Sequence, residues 1–179
     1  MTSQELEVME DTTTPPFVES TEMTESVLRS AYGHFPSGVT ALCGTVGDAP
    51  VGIAASSFTS VSIDPAYVSV CVANTSSTWP VLRTARRLGV SVLSENHGET
   101  ARALAAKGKD RFADIDWVPD ENGAVFIADS SLWLDCSIEQ EVQAGDHLIA
   151  LLRIHRFVTR PGISPMVFHG SRFHALAAR

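Results

Sequence analysis

From residue 39 onward, short apolar runs alternate with glycine, proline and hydroxyl residues, a rhythm that predicts strands more than helices. VTALCGTV (39–46) meets PVGIAAS (50–56) across Gly47-Asp48-Ala49, which reads as a hairpin. YVSVCVA (67–73) follows Asp64-Pro65, is rich in β-branched residues and reads as a buried strand. Further strands are predicted at 88–95, 124–128, 131–143 and 147–159, the last two joined at Ala144-Gly145-Asp146. A final pair, 166–169 and 172–176, turns at Gly170-Ser171. Helical spacing occurs in three places. Val27, Leu28, Ala31 and Tyr32 recur from a cap near Thr24 to the break at Pro36-Ser37-Gly38. Trp79, Val81, Leu82 and Ala85 suggest a short helix, and residues 99–108 a third, with Gly108 as its stop. Many strands, few helices and little βαβ alternation predict a mainly β fold: an antiparallel barrel, closed or split, with peripheral helices.

Composition narrows this picture. The 179 residues suit one domain, expected over 23–179, that buries roughly 70% of its unfolded surface. Residues 1–22 are acidic and Thr-rich, lack a hydrophobic period and read as a disordered tail. The net charge of −8 comes mostly from that end. Residues 1–25 hold seven acids and no Lys or Arg, which leaves 14 acids against 13 bases in the body. No basic stripe remains to bind nucleic acid. Cys43, Cys71 and Cys136 are far apart, form no CxxC pair and read as buried, reduced thiols. No apolar stretch is long enough to span a membrane and no secretory signal is evident, so a soluble cytoplasmic protein is expected.

Candidate chemistry gathers around one strand. AASSFTSVSIDP (54–65) puts five hydroxyls at the exit of the VGIA run. Small side chains, hydroxyls and backbone N–H groups suit a flat polar ligand, although a Ser/Thr-rich edge strand meeting solvent has the same composition. NTSSTWP (74–80) leaves the next strand with strong helix caps and Pro80, so a helix should begin near 76–78 and offer donors to a phosphate. Lys109 and Arg111 could reach an anion, with Phe112 or Trp117 covering a ring or simply filling core. His147 opens a strand after Gly145-Asp146, where it could donate to a ring or merely cap the turn. Phe168 and Phe173 flank the last hairpin and default to core packing. No GxGxxG, Walker, GxSxG or HExxH pattern is present, so an enzyme of this sequence would rely on a bound cofactor.

The ordered set FPSGVTAL, PVGIAASSFTSVSIDP, VSVCVANTSSTWPVL, LGVSVLSE, DRFADIDW, GDHLIALLRI and VFHGSRF resembles the short-chain flavin reductases over residues 27–176. The resemblance implies an antiparallel Greek-key split β-barrel of the FMN-binding type and a homodimer. It also implies FMN or FAD reduced by NADH or NADPH, with reduced flavin passed to a partner monooxygenase. By position, Gly52, Ile53, Ala54, Ser56 and Ser57 would line the isoalloxazine and ribityl chain, and Val72, Ala73 and Asn74 would continue that wall. Ser77 and Thr78 would meet the phosphate, Arg111 the phosphate or ribityl end, and His147 the place where nicotinamide stacks. Leu152 replaces a frequent Gly, which implies a narrower dinucleotide side. Phe168 and Phe173 stand where Tyr is frequent, and Ser91 where Asn is. Two rivals are a split-barrel flavoprotein that keeps its FMN as an oxidase or acts on a small substrate, and a non-enzymatic flavin or haem binder.

Overall fold

The computed structural model describes residues 19–108 and 110–177; residues 1–18, most of the predicted acidic tail, and Lys109 lie outside the described residues. Twelve strands and three helices occur among them: α1 (Glu25–Tyr32), β1 (Ser37–Gly38), β2 (Thr40–Val46), β3 (Ala49–Ala55), β4 (Thr59–Ser62), β5 (Tyr67–Ala73), α2 (Trp79–Leu82), β6 (Leu88–Val92) and α3 (Gly98–Ala105). β7 (Trp117–Pro119), β8 (Val125–Ile127), β9 (Leu132–Ala144), β10 (His147–Thr159), β11 (Met166–His169) and β12 (Arg172–Ala175) complete the chain.

Seven strands form one antiparallel sheet in the order β3-β2-β6-β9-β10-β5-β4. The two hairpins of this sheet that were read from glycine turns hold as predicted. β2 pairs with β3 from Val46↔Ala49 upward, and β9 with β10 from Ala144↔His147, the tight turn between the latter placing Gly145 at φ +63°. Hydroxyls then bring the two ends of the sheet together: Ser57, just past β3, bonds to the backbone of Cys71 on β5. The result is the expected mainly β, split-barrel arrangement with helices at its periphery.

Two apolar clusters hold this sheet, one on each face. Leu42, Val70, Val90, Leu134 and Leu152 fill one. Ala41, Cys43, Leu93, Leu104, Val125, Ile127 and Met166 fill the other, under α3, β8 and β11. β2 is apolar without alternation because it is buried on both faces. β5 departs from expectation. Val68, Val70 and Val72 are buried, whereas Tyr67, Ser69, Cys71 and Ala73 are less so, and the strand covers core on one face only.

Other differences are local. β4 shows that residues 59–62 do form a hydroxyl-rich edge strand, one of the two readings left open for that segment. β1 and β7 were not anticipated: β1 pairs only two residues with distant β11, and β7 ends on Pro119. α3 stops at Ala105 because Ala106 turns extended (ψ 155°), before Gly108 can end it. Cys43 and Cys136 are buried, and burial pushes both thiols upward, that of Cys136 to about 12. Cys71 is exposed, contrary to the expectation for all three.

Candidate functional site

A cleft of about 420 Å³ opens where the exit of β3, the exit of β5, the end of α3 and the start of β10 converge. Its floor is made of small residues, Ala54, Ala55 and Ala73, beside Ile53 and Val72. Ser56 and Ser57 stand on one wall and residues 75–78, all hydroxylic, on another. Lys107 and Arg111 supply two cations, and among the described residues no carboxylate lies on the lining. A surface without acids and with two cations attracts an anion, and small side chains let a flat body reach the backbone.

Local chemistry fixes each part. The Ser76 hydroxyl accepts the Trp79 N–H (3.1 Å) at the start of α2 and keeps its own O–H as a donor, whereas Thr75, Ser77 and Thr78 carry no side-chain hydrogen bond among the described residues. α2 is anchored by Trp79, whose Nε1 donates to Glu141 Oε1 at 2.7 Å while Arg83 pairs with the same carboxylate. Arg111 Nη1 donates to the Gly52 carbonyl at 2.8 Å, which holds the guanidinium at the cleft's edge. The turn before His147 is laced from two sides. Asn74 donates to the Gly145 carbonyl through Nδ2 and to the Asp146 carbonyl through its N–H, and Gln143 Nε2 donates to the carbonyls of Gly145 and His147. His147 Nδ1 lies 2.8 Å from Asp146 Oδ1, and that hydrogen bond, then the charge interaction, draws the Asp146 carboxyl below its usual range.

Ten of the twelve residues singled out from the sequence share this cleft: Ile53, Ala54, Ser56, Ser57, Val72, Ala73, Ser77, Thr78, Arg111 and His147. Gly52 and Asn74 do not line it; they hold Arg111 and the Gly145-Asp146 turn. A Cβ on Gly52 would meet Cys43 Sγ at 2.5 Å and Phe112 Cζ at 3.0 Å, so glycine there serves packing. Phe112 is buried, sits edge-on to Trp117 (6.3 Å, 82°), and neither reaches the cleft; they are core aromatics.

The sequence reading included Ala55, Thr75 and Ser76 only as members of the runs 54–65 and 74–80, and as site residues it missed Cys71, Leu104, Ala105 and Lys107. For Cys71 a signal existed, since it is in phase with Tyr67 and Ser69 and not with the three buried valines. Leu152 does not narrow the cleft: it is fully buried in the core cluster. Ser91 is likewise interior, where its hydroxyl accepts the Ile127 N–H (3.0 Å). Phe168 and Phe173 pack against the second core cluster and also line an apolar annex of about 180 Å³, which shares Ala54, Ala55, Ser56 and Ala105 with the cleft.

The flavin reductase-like domain model matches residues 32–177. A probable flavin reductase of Rhizobium meliloti is 38% identical over 73% of this chain and 42% of its own length. The chain spans about half the length of the first curated relatives it matches. An NADH-dependent FAD reductase of Streptomyces globisporus is 37% identical over 84% of the chain and 85% of its own. Among solved structures, an NADH:FAD oxidoreductase from that organism, in complex with NAD and FAD fragments, superposes with a TM-score of 0.83 at 35% identity, covering 89% of this chain and 98% of that one. The chain belongs to the flavin reductase-like family.

Proposed function

We propose that the protein is an NAD(P)H:flavin oxidoreductase that reduces FMN or FAD and releases the reduced flavin to a partner monooxygenase. The observation that carries this is the convergence, in one cleft whose described lining holds no acid, of a small-residue floor, free hydroxyls and two cations. That donor set fits a tricyclic phosphate ester. Thr75, Ser77, Thr78, Lys107 and Arg111 would hold its phosphate, and Ile53, Ala54, Ser56, Ser57, Val72 and Ala73 its ring and ribityl chain. The bound flavin would supply an acceptor for hydride from the nicotinamide. The chain's own part is to orient the two rings, to exclude water with the aliphatic floor, and to aim backbone N–H groups at the ring edge where charge develops. His147, fixed by the laced turn and its contact with Asp146, would position the nicotinamide side.

The names of the relatives support the partner: one is the reductase subunit of a flavin-dependent monooxygenase in Mycobacterium tuberculosis. A homodimer is supported by the apolar side chains around α1, where Tyr32 and Phe35 are 70% and 77% exposed. No described helix is long and apolar enough to cross a membrane, and we place the protein in the cytoplasm. Steady-state turnover with the four flavin–nicotinamide combinations tests the activity. At least one combination is expected to bleach the oxidised flavin catalytically. No turnover with any would end the reductase reading, and flavin retained through gel filtration would favour the tight-binding flavoprotein.

A further inference from the structure

The Ser57 hydroxyl performs a task that its place on the cleft wall conceals. In the β4–β5 ladder Thr59 opposes Ser69, so two residues further back Ser57 opposes Cys71. An antiparallel ladder would continue there by exchanging N–H···O bonds between the two backbones. Instead, Ser57 Oγ accepts the Cys71 N–H at 2.9 Å and donates to the Cys71 carbonyl at 3.1 Å. A hydroxyl is one donor plus acceptor lone pairs, the same complement as the missing backbone rung. Ser57's own N–H and C=O carry no hydrogen bond among the described residues, and neither does the N–H of Ser56.

We infer that Ser57 is a positioning residue whose side chain replaces a rung of the β4–β5 ladder. It pins β3's exit to β5 and leaves the main chain of residues 56–57 free to face the cleft. The ligand-facing donors on this wall are then backbone N–H groups, and the hydroxyl is engaged elsewhere. For its ligand this inference rests on the proposed flavin site; for its geometry it does not.

The test uses the full chain and a pair of variants with equal side-chain shape, Ser57→Thr and Ser57→Val, with Ser57→Ala beside them. Amide hydrogen exchange is read at residues 70–72 without ligand. Loss of the hydroxyl in Ser57→Val and Ser57→Ala should speed exchange at Cys71 about tenfold, while Val70 and Val72, paired with β10, keep their protection. Ser57→Thr should stay near wild type. A Cys71 rate unchanged by both hydroxyl deletions overturns the inference, as does equal acceleration in Thr and Val. In turnover, the deletions should raise flavin KM about tenfold and leave kcat within about threefold. A wild-type protein that reduces no flavin would defeat the reductase reading but not the amide result, so the two failures are separable.

Discussion

The molecule has a second concavity that makes the first easier to understand. A groove of about 230 Å³ lies between the β7–β8 hairpin and the far ends of β9 and β10. It is walled by aromatic rings and charges, with Phe126 stacked on Trp133 at 5.0 Å and the Arg160 guanidinium 3.7 Å above the Trp133 ring. Its ions already have partners: Asp120 pairs with Arg156, and Asp135 lies 3.7 Å from Arg87. The cleft is the reverse: its floor is small, and among the described residues four of its hydroxyls (Ser56, Thr75, Ser77 and Thr78) are unengaged and its two cations face no acid on the lining. Hollow shape is common to both; apart from Asp135 Oδ1, a buried oxygen that faces Arg87 without a hydrogen bond, the groove's charged groups are paired, whereas the cleft leaves hydroxyls and cations open to a ligand. The groove is how a hairpin seats on a sheet, and the cleft is where packing has been withheld.

The largest effect that could break this contrast is a substitution under the hairpin. A Cβ at Gly89 would meet the Val125 carbonyl oxygen at 2.1 Å, and backbone cannot move aside cheaply. Gly89→Ala should therefore cost about 3 kcal/mol in urea unfolding, at the upper end of overpacking. Gly38→Ala, with nothing within 4 Å, should cost no more than about 1 kcal/mol. Equal losses in the two would show that the hairpin is not seated as described.

Next come two arginines, one from each concavity. Arg111→Ala removes a cleft cation and its bond to the Gly52 carbonyl, and flavin KM should rise about tenfold or more. Arg111→Lys keeps the charge without the forked geometry and should fall between. Arg156→Ala, in the groove, should leave flavin KM within about twofold. If Arg156→Ala weakened flavin as much as Arg111→Ala, the groove would belong to the site.

How far the sequence anticipated this contrast depends on whether a feature is local. Gly145 and Gly47 mark tight turns whose requirement is written in two residues, and both hairpins followed from them. The hydroxyl runs at 54–65 and 74–80 carried their donors openly, so most of the cleft was legible. β1 was not, because two residues gain strand character only by pairing with β11 some 130 residues away. Lys107 and Ala105 lay beyond reach for a similar reason: nothing in their neighbours says that α3 ends against β3. The division of labour between Ser57 and its backbone was hidden too, since serine composition cannot say where a hydroxyl points.

A smaller effect separates the cleft by its charge. Lys107 is exposed and unshielded by any acid on the lining, so its attraction for a flavin phosphate is open to screening. Raising ionic strength tenfold should increase flavin KM about twofold to threefold. Urea stability, which leans on apolar clusters and on the paired ions of the groove, should move much less. A flavin KM indifferent to salt would leave the cations without their role.

The smallest effect lies on the acid side of the stability profile, where one carboxyl in the groove and one beside the cleft are held low. Asp120 in the groove is held below the usual carboxylate range, first because its Oδ1 accepts the Asn122 N–H and then because Arg156 is beside it, with burial opposing both. Asp146 beside the cleft is lowered by the His147 hydrogen bond and charge, but its carboxyl stands in solvent, where such a contact is screened. A carboxyl lowered in the folded state adds stability that is complete above its unfolded pKa and fades as pH falls through the folded value. Unfolding measured from pH about 5 downward should thus steepen below pH about 4 in the wild type. Asp120→Asn should flatten that limb by less than about 1 kcal/mol, and Asp146→Asn should leave it almost unchanged. The reverse order would mean that the exposed pair at the cleft, and not the half-covered one under the hairpin, carries the electrostatic share of the fold.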